Sequence, residues 1–295
     1  MSKLIKQYLT LLKRELTGTD RATIQDAQSD AEEHLNMALQ SELEKYPDKS
    51  PEDLLPKIIE EYGSPEETAA AYTQIEARIR PALSYSNQTG GGGFSRFFGI
   101  FADPKAWGAL VYMLISLVTG PLYFTWAVAG LSTSFAFALF IFGLPVAVIF
   151  MFSVKGISLL EGRIVEGLLG VRMPRRQVFF PQGLNWKERI KVLFKDKSIW
   201  MAILYMVLML PLGVIYFTLS FSLNIISIAL MITPFLQEIL NIPLITFSGA
   251  SYFLPNWLLP AVMIIGLLLL TGSMHLAKLL GGWHGKLAKF FLVAE

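Results

Sequence analysis

The residues able to do chemistry are few, and their spacing excludes most of it. The chain has three histidines and no cysteine. His275 and His284 are nine positions apart, about 180° around a helix, so one helical face cannot present both to a metal ion. Without cysteine there are no disulfides, thiolate metal sites or cysteine nucleophiles. No HExxH, GxxxxGK[ST] or nucleophile elbow occurs. His34 could sense pH, but one imidazole beside Glu32 and Glu33 on a helix is the ordinary setting of a solvated surface histidine. The two long charge-free runs offer no intramembrane acid for ion transfer. The expectation is therefore a protein that is not an enzyme, with no catalytic residue, no metal and no cofactor.

Two other groups of residues can bind rather than react. Arg172, Arg175 and Arg176, with Lys187, Lys191 and Lys195, are candidates for docking anionic lipid or an acidic module of the same chain. The arginines could hold a phosphate, although a positive-inside signal accounts for them more cheaply. Phe235, Glu238, Phe247 and Tyr252 lie in a segment of about residues 222–255 whose only charge is Glu238. They are candidates for sensing an external lipid or amphipathic peptide, and a plain capping loop is the competing explanation. Pro234, Pro243, Gly249 and Pro255 argue against one continuous helix there, so an outer cap dipping into the membrane is expected.

The elements that must position these groups are set by residues 106–154, 49 positions without Asp, Glu, Lys, Arg or His. A crossing helix needs roughly 20 mostly apolar residues for about 30 Å of hydrocarbon, so this run reads as a hairpin of two crossings. Gly130 with Ser132, Thr133 and Ser134 marks its turn. Composition agrees: 53% hydrophobic, 16% charged and a mean hydropathy of +0.49 describe an integral membrane protein with a soluble part. Residues 1–80 hold 10 Lys/Arg against 16 Asp/Glu, net −6, and residues 81–295 hold 15 against 7, net +8. An acidic module thus precedes a basic membrane module, and the amphipathic start, Met1 to Leu12, gives no reason to expect a cleaved leader.

Residues 1–82 read as a small helical bundle. Leu4, Tyr8, Leu12 and Leu16, then Ile24, Ala27, Ala31, Leu35 and Leu39, show helical periodicity. Thr19 and Asp20 can cap the second helix. A third helix ends at Gly63 and, because of Pro56, is expected to start near Asp53 or to be distorted. Ser64, Pro65 and Glu67 open a fourth with a capping box. Residues 83–93 contain four consecutive glycines and read as a flexible linker, within which the sequon Asn87-Gln88-Thr89 is best explained by chance. Phe94, Phe97, Phe98, Ile100 and Phe101 suit the membrane surface.

Residues 94–295 read as a duplicated hairpin. A shift of 93 residues superposes Asp103–Thr125 on Asp196–Thr218 with ten identities in 23 positions, among them Asp103/Asp196, Trp107/Trp200, Tyr112/Tyr205, Met113/Met206 and Gly120/Gly213. The repeats span 94–176 and 185–295, with a guessed insertion of roughly 27 residues before the last crossing. Crossings are expected near 106–129, 134–154, 199–221 and 256–276, with Gly120-Pro121 and Pro211-Gly213 bending both first helices. Two crossings per half point the halves the same way, and ten Lys/Arg between Lys155 and Lys197 place both termini in the cytoplasm of a bacterial plasma membrane. Ile157–Leu168, Trp186–Lys195 and Leu279–Val293 have the amphipathic pattern of helices lying in the headgroup layer. The fold class is all-α: a tethered bundle on a four-helix transmembrane domain of two tandem hairpins with interfacial helices.

Two resemblances follow from residues already named. Tyr8-Leu9 with Leu12, Glu32-Glu33-His34, and Tyr62 to Glu67 with Ala70 resemble the HAAS signalling domain of bacterial membrane proteins over about residues 3–78. Thr17-Gly18-Thr19-Asp20 stands where that family usually has a proline-containing turn. The resemblance implies a relay role, and the family is associated with genes for PadR-like regulators. Asp103-Pro104 with Trp107 and Tyr112, Gly143-Leu144-Pro145, Glu161-Gly162-Arg163 before Leu168-Leu169-Gly170-Val171, and His275-Leu276-Ala277 with His284-Gly285-Lys286-Leu287-Ala288 resemble the bacterial "putative sensor" membrane domain over about 94–293. That implies a sensory role and no particular ligand.

The leading expectation is a membrane sensor or signalling adaptor, in which an envelope or lipid signal shifts hairpin packing and changes what the acidic bundle engages. Residues 155–197 carry 10 Lys/Arg and 4 Asp/Glu, net +6, against −6 on the bundle, so docking by attraction is expected, chiefly through Lys187, Lys191 and Lys195. The alternative is an accessory subunit of a membrane complex such as an ABC-type export or resistance transporter. Expected partners are membrane lipids and a protein, either a regulator or a transporter subunit. Direct nucleic-acid binding is not expected, and a homo-oligomer is compatible.

Overall fold

The computed structural model describes residues 3–78, 83, 92–137, 143–175, 186–243 and 245–293, with side chains undescribed at 77, 143, 186–189, 245–247, 250 and 251. Arg176 and most of the glycine linker, including Asn87, lie outside the described residues, as do the side chains of Lys187 and Phe247. The class is all-α, with one two-stranded hairpin. The helices are α1 Lys3–Glu15, α2 Arg21–Lys45, α3 Pro51–Tyr62, α4 Pro65–Arg78, α5 Gly93–Phe98, α6 Pro104–Phe137, α7 Gly143–Leu169, α8 Trp186–Lys195, α9 Lys197–Leu240 and α10 Leu259–Leu292. Strands β1 Ile245–Phe247 and β2 Ala250–Tyr252 pair antiparallel between α9 and α10. Among the described residues four helices are long and apolar enough to cross a membrane: Pro104–Phe137, Leu144–Leu169, Lys197–Leu240 and Asn256–Leu292.

The chain forms two compact units: Met1–Ser84 with Thr125–Val207 and Lys286–Glu295, and Tyr85–Phe124 with Leu208–Gly285. In the first, α1 to α4 enclose an apolar core of Ile5, Tyr8, Leu12, Leu35, Leu55 and Ile58 with their neighbours. Local chemistry sets the helix starts. Asp20 caps α2 by accepting from the Ala22 amide at 2.9 Å. Ser64 and Glu67 form the reciprocal box that opens α4: the Glu67 amide donates to Ser64 Oγ at 3.2 Å and the Ser64 amide to Glu67 Oε2 at 3.0 Å. The Ser64 amide and then the Ser64 hydroxyl, both donating to the carboxylate, hold the Glu67 carboxyl below its usual range. The start of α3 differs from expectation. It begins at Pro51 and passes through Pro56, because Ser50 caps it through Asp53 and Pro56 lies on the exposed face, where water can take the freed carbonyl.

The long helices overrun the expected turns. The serine-rich stretch at 132–134 continues α6 to Phe137, and Gly130 serves packing: a Cβ there would lie 2.1 Å from the Phe150 ring of α7. Pro234 lies inside α9, which continues to Leu240 where a broken cap was expected. The amphipathic stretches Ile157–Leu168 and Leu279–Val293 are the ends of α7 and α10, not separate interfacial helices. In each case an apolar surrounding makes an unsatisfied backbone group cost more than a poor helix former, so the helix continues. Segment Trp186–Lys195 does form its own helix, α8.

In the second unit, α6 and α9 meet at matching glycines. A Cβ on Gly120 would lie 2.5 Å from the Met209 carbonyl oxygen, and one on Gly213 would lie 2.3 Å from that of Ser116. These glycines are contact points where a bend was expected. Small residues at a crossing let backbones approach, which substitutes for hydrophobic drive between apolar helices in lipid. Ser116 donates to the Gly213 carbonyl at 3.3 Å and Ser220 to Met113 Sδ at 2.9 Å, so residue numbers rise on one helix as they fall on the other. The two helices run past each other in opposite senses at this contact.

Gly213→Ala should destabilise the detergent-solubilised protein by about 1–3 kcal/mol, because the obstructing atoms are backbone and cannot turn away. Gly130→Ala should cost a similar amount but recover when combined with Phe150→Leu. Thermal melts of the single and double variants measure both, and an unchanged midpoint for Gly213→Ala would contradict the close approach.

Candidate coupling site

Arg172 is the most heavily engaged charge in the first unit. Helix α7 ends at Gly170, whose φ of 69° is left-handed and whose missing side chain leaves room for Leu83, 3.0 Å from where a Cβ would be. Val171 to Arg175 then folds back along α7, with Met173 against Gly162 and the Arg175 carbonyl accepting from Arg163 at 3.2 Å. This places the Arg172 side chain, 8% exposed, among acids from three helices. It reaches Asp26 of α2 at 2.7 Å, Glu76 of α4 at 2.9 Å and Glu166 of α7 at 3.5 Å. The Arg175 amide also donates to Asp26 at 2.7 Å, while its guanidinium meets Glu166 at 3.3 Å. Burial by itself would lower the Arg172 pKa, but the bond from Glu76 and the charges of Asp26 and Glu76 outweigh it, and the guanidinium stays charged. Lys289, near the end of α10, pairs with Asp20 at the start of α2.

Of the expected docking cations, then, Arg172 and Arg175 touch the bundle, whereas Lys191 and Lys195 are exposed. For Arg172 charge reach explains the difference, since a planar guanidinium can serve two carboxylates at once, which a lysine does less well; Arg175 reaches Asp26 through its backbone amide.

Two buried polar pairs lie deeper. In the first unit Tyr205 donates to Glu161 at 2.8 Å, with Glu161 1% exposed. In the second, His284 is fully buried between Tyr112 (2.5 Å to Nε2) and Tyr216 (3.2 Å to Nδ1). His275 instead stacks on Phe97 and meets its carbonyl at 3.0 Å. Glu161 of α7 and His284 of α10 both lie C-terminal to the crossings expected near 134–154 and 256–276. The signal was available in Tyr112 and Tyr205, identical under the 93-residue shift. Near each span start the same chemistry recurs. Asp103 caps α6 and pairs with Lys278 at 2.6 Å, and Asp196 caps α9 and pairs with Lys155 at 2.9 Å. Trp107 donates to the Phe101 carbonyl at 2.8 Å and Trp200 to that of Phe194 at 2.9 Å. For both aspartates burial raises the pKa, but the hydrogen bonds and lysine charges win and hold it below the usual range.

The expected sensing residues are placed on α9 and the strand pair. Phe235 is 57% and Tyr252 56% exposed, Glu238 is exposed, and Phe247 is in β1. Among the described residues no cluster of His, Asp and Glu could hold a metal ion.

The family described as "Putative sensor" matches residues 112–292, more than half of the chain. The chain belongs to that family. No curated protein and no solved structure matches it. The sensor-family region includes Tyr112, Glu161, Arg172, Tyr205 and His284, and excludes Asp26 and Glu76, the acids of the bundle. The Arg172 ion pairs therefore join the family region to acids outside it.

Arg172→Ala would leave Asp26 and Glu76 without their cation and should cost about 3–5 kcal/mol, the usual loss on breaking one side of a buried pair. Hydrogen exchange of α2 and α4 would report it as faster opening. Because the folded pKa of Asp196 is depressed, its stabilisation is complete above the ordinary aspartate value, about 3.9, and is lost as pH falls from there through the folded value. Asp196→Asn should remove that component of an acid titration followed by tryptophan fluorescence.

Proposed function

We propose that this sensor-family protein is a multi-pass signalling adaptor of the bacterial plasma membrane. A signal from the envelope or lipid phase passes through the spans to a cytoplasmic protein, by way of a HAAS-like bundle in residues 1–82. Residues 83–93 are the linker and residues 94–295 the membrane module. The role is non-catalytic and uses no cofactor. The observation that carries this reading is Arg172: it stands three residues beyond a candidate span and is buried against both α2 and α4 of the bundle. A charged contact suits a relay, because it holds strongly when seated and becomes soluble when released.

The membrane module is read as two tandem copies of one hairpin. The contacts support a second register beside the shift of 93. Lys155 and Lys278, and Glu161 and His284, are each 123 residues apart and meet partners matched by the first shift. The second copy thus has 30 extra residues before its last helix, in place of the roughly 27 guessed from spacing. Both termini are assigned to the cytoplasm on the strength of the ten Lys/Arg between 155 and 197. Helices of 34 and 44 residues are about 51 and about 66 Å long, well beyond about 30 Å of hydrocarbon. Steep inclination would let α6 and α9 cross the bilayer in one direction while opposing each other in its plane.

The absence of native cysteine makes the test direct. Spin labels at Met37→Cys on α2 and Leu160→Cys on α7, both exposed, should give one narrow distance distribution. Arg172→Asp should broaden it, and adding Asp26→Arg should restore it in part. An unchanged distribution in Arg172→Asp would end the relay reading. Tags at the two ends should both be reached only from the cytoplasmic side.

A further inference from the structure

The turn between α9 and α10 has a construction that the relay does not use. After Leu240 the chain reverses through Asn241 (φ 52°) and forms β1 and β2, joined by Ser248 (φ 50°) and Gly249 (φ 79°) in a tight turn with two left-handed residues. Gln237 of α9, 6% exposed, clamps the far side: its amide donates to the Leu254 carbonyl at 2.6 Å and its oxygen accepts from the Leu254 amide at 2.9 Å. One side chain thereby supplies both bonds that a neighbouring strand would make. Around this clamp Phe235, Ile239, Leu240, Tyr252, Phe253 and Trp257 are all about half or more exposed, with Trp257 at 77% and Ile239 at 72%. Between residues 198 and 277 no Lys or Arg occurs, and the only acid is Glu238.

We propose that the Ile245–Tyr252 hairpin is a lipid-seated paddle, held at the boundary between phospholipid headgroups and acyl chains and clamped to α9 by Gln237. Three observations select lipid as the occupant. The exposed apolar surface is continuous along the chain with the exposed aliphatic residues of α9, Ile225, Ile228 and Ile232, on a helix long and apolar enough to cross a membrane. Trp257 stands at the start of a candidate span, as Trp107 and Trp200 do, which is where an indole keeps its ring in lipid and its N–H in the polar layer. A two-stranded hairpin has outer edges with unpaired backbone groups, which forbids full immersion but not a boundary where headgroups and water can bind them. A soluble partner would need a patch with some charged rim, and the only charge here is Glu238. The clamp makes the paddle and the end of α9 one body, so a change in the lipid boundary displaces a helix that reaches the buried His284 and Tyr216 pair. This rests on the adaptor reading only in treating lipid as the stimulus; the lipid contact stands or falls separately.

The full chain with Ser248→Cys carrying a nitroxide, reconstituted in phosphatidylcholine and phosphatidylglycerol vesicles, tests it by power saturation. Lys49→Cys on the bundle is the water-exposed control. Oxygen accessibility at 248 should be severalfold higher, relative to a nickel chelate, than at 49, as expected for the headgroup boundary. Adding Gln237→Ala should increase label mobility at 248 without returning it to water. Nickel accessibility equal to that of the control would overturn the lipid seat, and dipolar broadening would replace lipid by a second copy of the chain. Unchanged mobility in Gln237→Ala would overturn the clamp. Failure of the Arg172 distance test alongside a boundary signal at 248 would reject the relay and keep the paddle.

Discussion

Backbone hydrogen bonding in an apolar surrounding is the constraint on which the rest depends. Hydrocarbon offers no partner for a freed amide or carbonyl, so each long helix continues until it reaches a place where something else can bind those groups. This is why α6 runs through three consecutive hydroxyl residues and α9 through two prolines. Ser116, Ser227, Thr233 and Thr271 each return a hydrogen bond to a carbonyl one turn back, so their hydroxyls are satisfied within the helix that carries them. Glycine, freed from any duty as a breaker, becomes a means of close packing at Gly120, Gly130 and Gly213.

The same constraint divides what the sequence reveals from what it conceals. Helix starts in the bundle were legible, because capping is local: Asp20 and Ser64 with Glu67 act within three residues of themselves. The four apolar spans were legible from length and composition. The helix ends at Phe137 and Leu240 were not, since Gly130 and Pro234 carry the same letters whether they break a helix or sit within one. Nor was the choice of docking cation. Lysines on an amphipathic helix and arginines in a loop contribute equally to net charge, and only the reversal at Gly170 aims Arg172 at Asp26 and Glu76.

Polar groups removed from water are expensive unless paired, and this chain pairs them in a consistent manner. The matched tyrosines Tyr205 and Tyr112 each meet an ionisable residue on another helix, Glu161 of α7 in one unit and His284 of α10 in the other. The difference between acid and imidazole leaves the surroundings of the two tyrosines chemically unlike, although the helices bearing them start with the same aspartate, tryptophan and tyrosine. Around Arg172, among the described residues, Arg163, Arg172 and Arg175 pair with Asp26, Glu76 and Glu166.

The meeting of Gly120 with the turn of Gly213 has a consequence of its own. Like surfaces that seat against each other in this way are the hallmark of a symmetric dimer, whose assembly weakens on dilution. Here one polypeptide carries both surfaces, so their union is unimolecular and indifferent to how many molecules a cell makes. A protein present in a few copies per cell would keep that junction as complete as an abundant one.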